Sequence, residues 1–237
     1  MKTETFGELS CVVTGGDDRE GGGDGPVIVL LHGFGAPGTD LVSLWRVLDV
    51  PRGTRFVFPA APLDLSYAYG MGDARAWWMI DMAALDAAVR SGTFREFGKE
   101  IPEGLADSRA KLIATLDAIE ARMKPSALML GGFSQGAMLS LDVALHTTRP
   151  IASLALMSGT LLAEEVWAPL LAARKGLPVV QSHGTHDPIL PFVVAEKLRD
   201  RLTAAGLEVD FVPFRGQHEI PPVVLQKLGA LAHRTLT

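Results

Sequence analysis

The chain has 237 residues, with 22 Lys+Arg against 27 Asp+Glu, a formal net charge of −5 and a pI near 5.7. That balance leaves no basic footprint for nucleic acid, and 48% apolar with 21% charged residues excludes disorder and fibrous repeats. The single cysteine, Cys11, excludes an internal disulfide and a multi-cysteine metal site.

A chain of this length can bury roughly 70–75% of its unfolded surface, so no disulfide or metal staple is required. Apolar runs such as 27–31 are far shorter than the ~20 residues of a membrane span. The Met-Lys-Thr-Glu start lacks the apolar stretch of a signal peptide, and the cytoplasm is the expected address.

In chain order, residues 6–13 alternate apolar and polar and predict one half-exposed strand. Residues 14–26 are glycine-rich and acidic and predict a mobile surface loop; their oxygen ligands lack the spacing of a calcium-binding EF-hand. From Pro26 on, short continuous apolar runs alternate with helical periodicity. The runs 27–31, 55–58, 127–130, 152–157, 178–181 and 207–214 predict strands covered on both faces, as in a parallel sheet flanked by helices. Helices are expected over 41–48, 103–123, 135–146, 164–175, 192–205 and 222–234. In the longest, Leu105, Leu112, Ile113, Leu116, Ile119 and Met123 form one stripe suited to packing on the sheet. With no linker or repeat, the expectation is one α/β domain spanning 1–237.

Residues 59–103 break the pattern. They contain Pro59, Pro62, Tyr67, Tyr69, Gly70, Gly72, Trp77 and Trp78 with little periodicity, and predict a lid- or cap-like insertion. Two adjacent tryptophans are not expected to enter one core together, so one or both are candidates for a pocket wall, with simple packing as the alternative.

Gly33-Phe34-Gly35-Ala36-Pro37-Gly38 formally fits the G-x-G-x-x-G dinucleotide fingerprint after a strand. The next strand ends in Pro59-Ala60-Ala61-Pro62 without a carboxylate for a ribose, and Pro37 removes an N–H from the turn. The better reading is a sharp turn that directs one backbone N–H into a cleft as half of an oxyanion hole.

Gly132-Phe133-Ser134-Gln135-Gly136 fits G-x-S-x-G between a predicted strand and a predicted helix, the context of a nucleophile elbow. A capping serine in a tight turn is the competing explanation. A serine hydroxyl needs a base, and the base needs an orienting acid. Asp187 follows the strand at 178–181 in a Gly/Pro-bounded loop, and His218 follows the strand at 207–214, giving the chain order Ser, Asp, His. Of the other histidines, His146 and His233 lie late in helices, and His32 adjoins the oxyanion turn. His183 and His186 stand too near Asp187 in sequence to receive its hydrogen bond in the usual geometry.

Leu31-His32-Gly33-Phe34-Gly35, Gly131 through Gly136, His183-Gly184-Thr185-His186-Asp187-Pro188-Ile189-Leu190-Pro191 and the Gly216–His218 segment together resemble the phospholipase/carboxylesterase family of α/β-hydrolases, which includes acyl-protein thioesterases. Trp77-Trp78…Asp81 also resembles the aromatic loop of bacterial members. The resemblance covers about residues 26–235. It implies an α/β-hydrolase fold with Ser134 as nucleophile, Asp187 as acid, His218 as base, and the Phe34 and Gln135 N–H groups as oxyanion hole. It further implies an open acyl groove and no metal or organic cofactor.

The expected activity is hydrolysis of short- to medium-chain carboxylic esters through an acyl-enzyme. An acyl-protein thioesterase or lysophospholipase is the alternative, and a non-catalytic binding protein of the same fold is the alternative of another class. Phe34, Trp77, Trp78, Leu161 and Leu162 are candidates for the acyl-pocket wall. The expected partner is a small-molecule ester or thioester; the sequence leaves a homodimer open.

Overall fold

A computed structural model describes residues 1–66, 72–81, 83, 84, 87, 90 and 101–237. The expected insertion at 59–103 therefore lies partly outside the described residues, including Tyr67, Tyr69 and Gly70.

The first alternating segment folds as a hairpin, β1 (Lys2–Phe6) and β2 (Leu9–Gly15), where one strand was expected over 6–13. Gly7-Glu8 make the reversal, with Gly7 at φ +58°, and β1 before it carries one apolar residue, Phe6. The following strands are β3 (Val27–Leu31), β4 (Arg55–Pro59), a two-residue hairpin β5 (Leu63–Asp64) and β6 (Arg75–Ala76), β7 (Leu128–Phe133), β8 (Ser153–Met157), β9 (Pro178–Gly184) and β10 (Glu208–Phe214). Eight of them form one sheet in the order β1-β2-β4-β3-β7-β8-β9-β10. The β1–β2 and β2–β4 pairs are antiparallel and all the others parallel.

The helices with both ends among the described residues are α1 (Leu105–Met123), α2 (Gln135–His146), α3 (Glu164–Leu171), α4 (Phe192–Ala204) and α5 (Pro222–Thr235). They explain the continuous apolar runs. Along β3, Val27, Val29 and Leu31 enter one core with α1–α4, while Ile28 and Leu30 enter a second core with α5. Residues 41–48, expected as an α-helix, instead form a 3₁₀ segment, Asp40–Arg46, that packs Leu41 onto the α5 face. The segment expected as one helix over 164–175 divides into α3, with Pro169 inside it, and a 3₁₀ turn at Ala172–Arg174.

The loop at 14–26 is tied down by a buried cation. Arg55 on β4 donates from Nη1 to Gly23 O (2.8 Å) and to Met123 O (2.7 Å), and from Nη2 to Gly25 O. Asp18 Oδ1 accepts the N–H groups of Glu20 (2.7 Å) and Gly22 (2.9 Å) inside the same loop.

Two registers position what lies above the sheet. In β3–β7, Leu31 pairs with Gly132, so the His32–Gly35 turn leaves the sheet beside the elbow. In β9–β10, Gly184 pairs with Phe214, so the loops carrying Asp187 and His218 start at one level. All four loops lie at the carboxyl ends of parallel strands, where open α/β sheets bind ligands.

Candidate active site

Between β7 and α2, Ser134 adopts φ +55°, ψ −116°, a conformation costly for a residue with a Cβ. The surrounding contacts hold it there. Ser134 N–H donates to Met157 O at 2.8 Å, and its own carbonyl accepts the Ala137 and Met138 N–H groups. A Cβ on Gly136 would lie 2.1 Å from Leu31 O, so the first turn of α2 meets β3 at a distance only glycine permits. Gln135 is the first residue of α2, and its N–H has no carbonyl one turn behind it within the helix.

The Asp187 and His218 loops are stitched together by backbone bonds, Thr185 N–H to Phe214 O (2.8 Å) and His186 N–H to Gly216 O (3.0 Å). A Cβ on Gly184 would lie 2.1 Å from Gln217 O, which again requires glycine at the crossing. His218 Nδ1 then lies 2.6 Å from Asp187 Oδ2. Asp187 Oδ1 accepts the N–H groups of Ile189 and Leu190, each at 2.9 Å. Burial raises the Asp187 carboxyl pKa, but the bonds from His218 and the two N–H donors outweigh it and hold the value below the usual carboxylate range. An ionised Asp187 only accepts, so His218 Nδ1 is the donor of this bond. The His218 ring packs on Phe133, centroids 4.7 Å apart.

His183 Nε2 bonds Leu190 O at 2.7 Å rather than the acid, although it lies 3.3 Å from Asp187 Oδ2. The strand β9 continues to Gly184, which carries the fully buried His183 beneath the Asp187 loop. Burial lowers its pKa, keeping the ring neutral. His186 is exposed and bonds Thr185 Oγ1 at 3.1 Å. His146 lies 2.8 Å from Asp142 O in the last turn of α2, and His233 is 3.3 Å from Asp49 at the surface.

The turn at 32–36 is braced from below and beside. His32 is fully buried, accepts the Ala61 N–H on Nε2 (3.0 Å) and therefore donates from Nδ1 to Gly33 O (2.8 Å). Burial lowers its pKa as well. Gly35 N–H donates to Arg75 O (2.8 Å) and Arg75 N–H to Ala36 O (3.1 Å), so the β5–β6 hairpin borders the turn.

Ser134 and His218 line one cavity of about 160 Å³. Its wall includes Phe34, Trp78, Met138, Leu162 and Leu190, and among the described residues Asp40 is the one ionisable side chain besides His218. Two expected wall residues stand elsewhere. Trp77 is buried in the core and donates its indole N–H to His32 O at 3.0 Å; Leu161 is likewise buried in the core, outside the lining. Trp78 belongs to the same core cluster as Trp77 while also facing the cavity, so adjacent tryptophans do enter one core here. The wall also contains Met138, Ile80 and Ile189, which the sequence reading did not single out. Met138 lies four residues after Ser134 on α2, one turn away, and that spacing is the signal that could have found it.

Among the described residues no group of three or more His, Cys, Asp or Glu side chains could hold a metal ion, and no helix is long and apolar enough to cross a membrane. Cys11 offers no rival nucleophile at this site. Its thiol is buried on β2 and pushed up to about 12 by that burial.

A model of the phospholipase/carboxylesterase family matches residues 20–233. The chain belongs to that family. It is 26% identical over 217 residues to acyl-protein thioesterase 1 of Gibberella zeae, covering 88% of this chain and 90% of that protein. It is 31% identical over 200 residues to acyl-protein thioesterase 1 of Kluyveromyces lactis, covering 80% and 82%. The crystal structure of esterase PE8 superposes with a TM-score of 0.77 at 26% identity, covering 96% of this chain and 99% of that one. A carboxylesterase from Mesorhizobium loti shares the fold, with a TM-score of 0.73 at 17% identity and 97% of this chain covered. This phospholipase/carboxylesterase family member is thus an α/β-hydrolase, with a mostly parallel sheet covered by helices on both faces.

Proposed function

We propose that the protein hydrolyses carboxylic esters and thioesters through an acyl-enzyme on Ser134, with His218 as general base, Asp187 as its orienting acid, and the Phe34 and Gln135 N–H groups as oxyanion donors. The observation that carries the reading is the 2.6 Å bond from His218 Nδ1 to Asp187, made by a histidine that shares a cavity with the strained Ser134.

In this reading His218 Nε2 takes the Ser134 proton as Oγ attacks the acyl carbonyl. The tetrahedral oxyanion forms beside the start of α2, where the helix dipole and the two N–H groups stabilise it. The imidazolium then gives its proton to the leaving oxygen or sulfur. Water, activated by the same His218, releases the acid and restores Ser134.

The cavity bears on the acyl group. An apolar space of about 150 Å³ accepts a six-carbon ring, so a cavity of about 160 Å³ suits short to medium chains. Thioesters stand beside esters because the relatives above are named acyl-protein thioesterase 1. Kinetics on p-nitrophenyl esters and matched acyl thioesters of two to twelve carbons test the proposal; absence of hydrolysis of both classes would refute it.

A further inference from the structure

The residue after the nucleophile carries more than a backbone donor. Gln135 is fully buried, and its carboxamide faces away from Ser134 toward the loop that bears the tryptophans. Its Oε1 accepts the Trp77 N–H at 2.9 Å, and its Nε2 donates to the Trp78 carbonyl at 2.8 Å. One neighbour is a donor and the other an acceptor, so the orientation of the amide is fixed. Trp77 has further anchors, its indole on His32 O and its carbonyl on the Ser108 hydroxyl. The Trp78 carbonyl is held by Gln135.

We infer that the Gln135 side chain is a positioning residue for acyl-chain selectivity: it clamps the backbone at 77–78 and so sets Trp78 as a wall of the cavity at a fixed distance from Ser134. The inference rests on the reading of Ser134 as nucleophile. The elbow and the wall are then one unit, because neighbouring residues in the chain supply the reacting oxygen and the clamp. A short acyl group needs little from the wall, whereas a longer one must pack along the Trp78 ring with Leu162 and Met138. Removing the clamp leaves a buried N–H and a buried carbonyl unpaired, and the loop must move to satisfy them. Longer substrates should suffer most. If Gln135 only supported the fold, all substrates would suffer alike.

The test is a double-mutant cycle read as the ratio of kcat/KM for p-nitrophenyl hexanoate to that for p-nitrophenyl acetate. Gln135→Met keeps the length of the side chain and removes both hydrogen bonds; it should lower the ratio about tenfold. Trp78→Ala should lower it comparably, and adding Gln135→Met to Trp78→Ala should lower it no further, since both act through one wall. Equal losses on the two esters, or effects that simply multiply, would overturn the inference. If Gln135→Met fails to fold, Gln135→Glu keeps the acceptor for Trp77 and sets an oxygen against the Trp78 carbonyl, and the same cycle is read with it. A fluorophosphonate probe is applied to every variant. Labelling of Ser134 with an unchanged ratio overturns the clamp alone, whereas a wild-type protein that takes no label overturns the nucleophile and the inference with it.

Discussion

His218 and Asp187 are 31 residues apart in the chain and joined by a 2.6 Å bond between Nδ1 and Oδ2. The bond depends on a carboxylate that two backbone N–H groups hold from its other oxygen. Asp187→Asn would present an amide in place of that acceptor and favour the wrong imidazole tautomer. Activity should fall by about 10³–10⁴-fold, the scale of an orienting acid in a serine triad. Asp200, paired with Arg199, and Asp210, paired with Lys227, are surface residues, and their Asn variants should cost little. Steady-state kinetics of the three variants, each checked by circular dichroism, decides among them.

Stability should decline in mild acid. Burial lowers the pKa values of His32 and His183 from the ordinary 6.5, so the unfolded chain takes up these protons before the folded one does. Their contribution is complete above pH 6.5 and is lost as pH falls through the folded values. Asp187, held below its ordinary 3.8, adds a loss of the same sign at lower pH. Tm measured from pH 7.5 to 5 should fall, and His32→Asn should flatten the slope. A Tm constant over that range would contradict the buried neutral imidazoles.

Gly136→Ala should be poorly tolerated, because its Cβ would stand 2.1 Å from Leu31 O on a strand that cannot retreat from the sheet. A loss of about 3 kcal/mol is expected, at the upper end of overpacking costs. Urea unfolding of this variant against Gly176→Ala, where no atom lies within 4 Å but φ is +79°, separates close approach from backbone strain.

The parallel strands were legible because strands covered on both faces leave continuous apolar runs, and β3 ends where its run ends. The same signal stops short wherever a strand finishes in glycine or polar residues. Hence β7 extends through Gly131 and Gly132 to Phe133, and β9 through Ser182 and His183 to Gly184, beyond the apolar stretches. Those added residues lead into the elbow at Ser134 and the loop that bears Asp187. The β1–β2 hairpin was hidden because Phe6 is the one apolar residue of β1, so only β2 leaves an alternating trace. At the site, spacing and strand–helix context pointed to Ser134, Asp187 and His218 as neighbours. Contacts made by one side chain across loops, such as Gln135 on Trp77 and Trp78 or His183 on Leu190, leave no periodic trace.

Trp77 and Trp78 should separate in their effects. Trp77→Phe removes the indole bond to His32 O without opening the cavity, so it should slow turnover of every ester about tenfold by loosening the oxyanion turn. Trp78→Ala should instead change the dependence on acyl length. Profiles of kcat and KM against chain length for the two variants test the separation; identical profiles would contradict it.

The central claim is that Ser134 carries the acyl group. Wild-type protein mixed with excess p-nitrophenyl butyrate, acid-quenched in the first turnovers and digested, should yield a butyryl adduct on the peptide containing Ser134 by mass spectrometry. Ser134→Ala should remain folded, form no adduct and lose about 10⁴-fold or more in kcat. A folded Ser134→Ala protein that turns over ester at the wild-type rate would contradict the account.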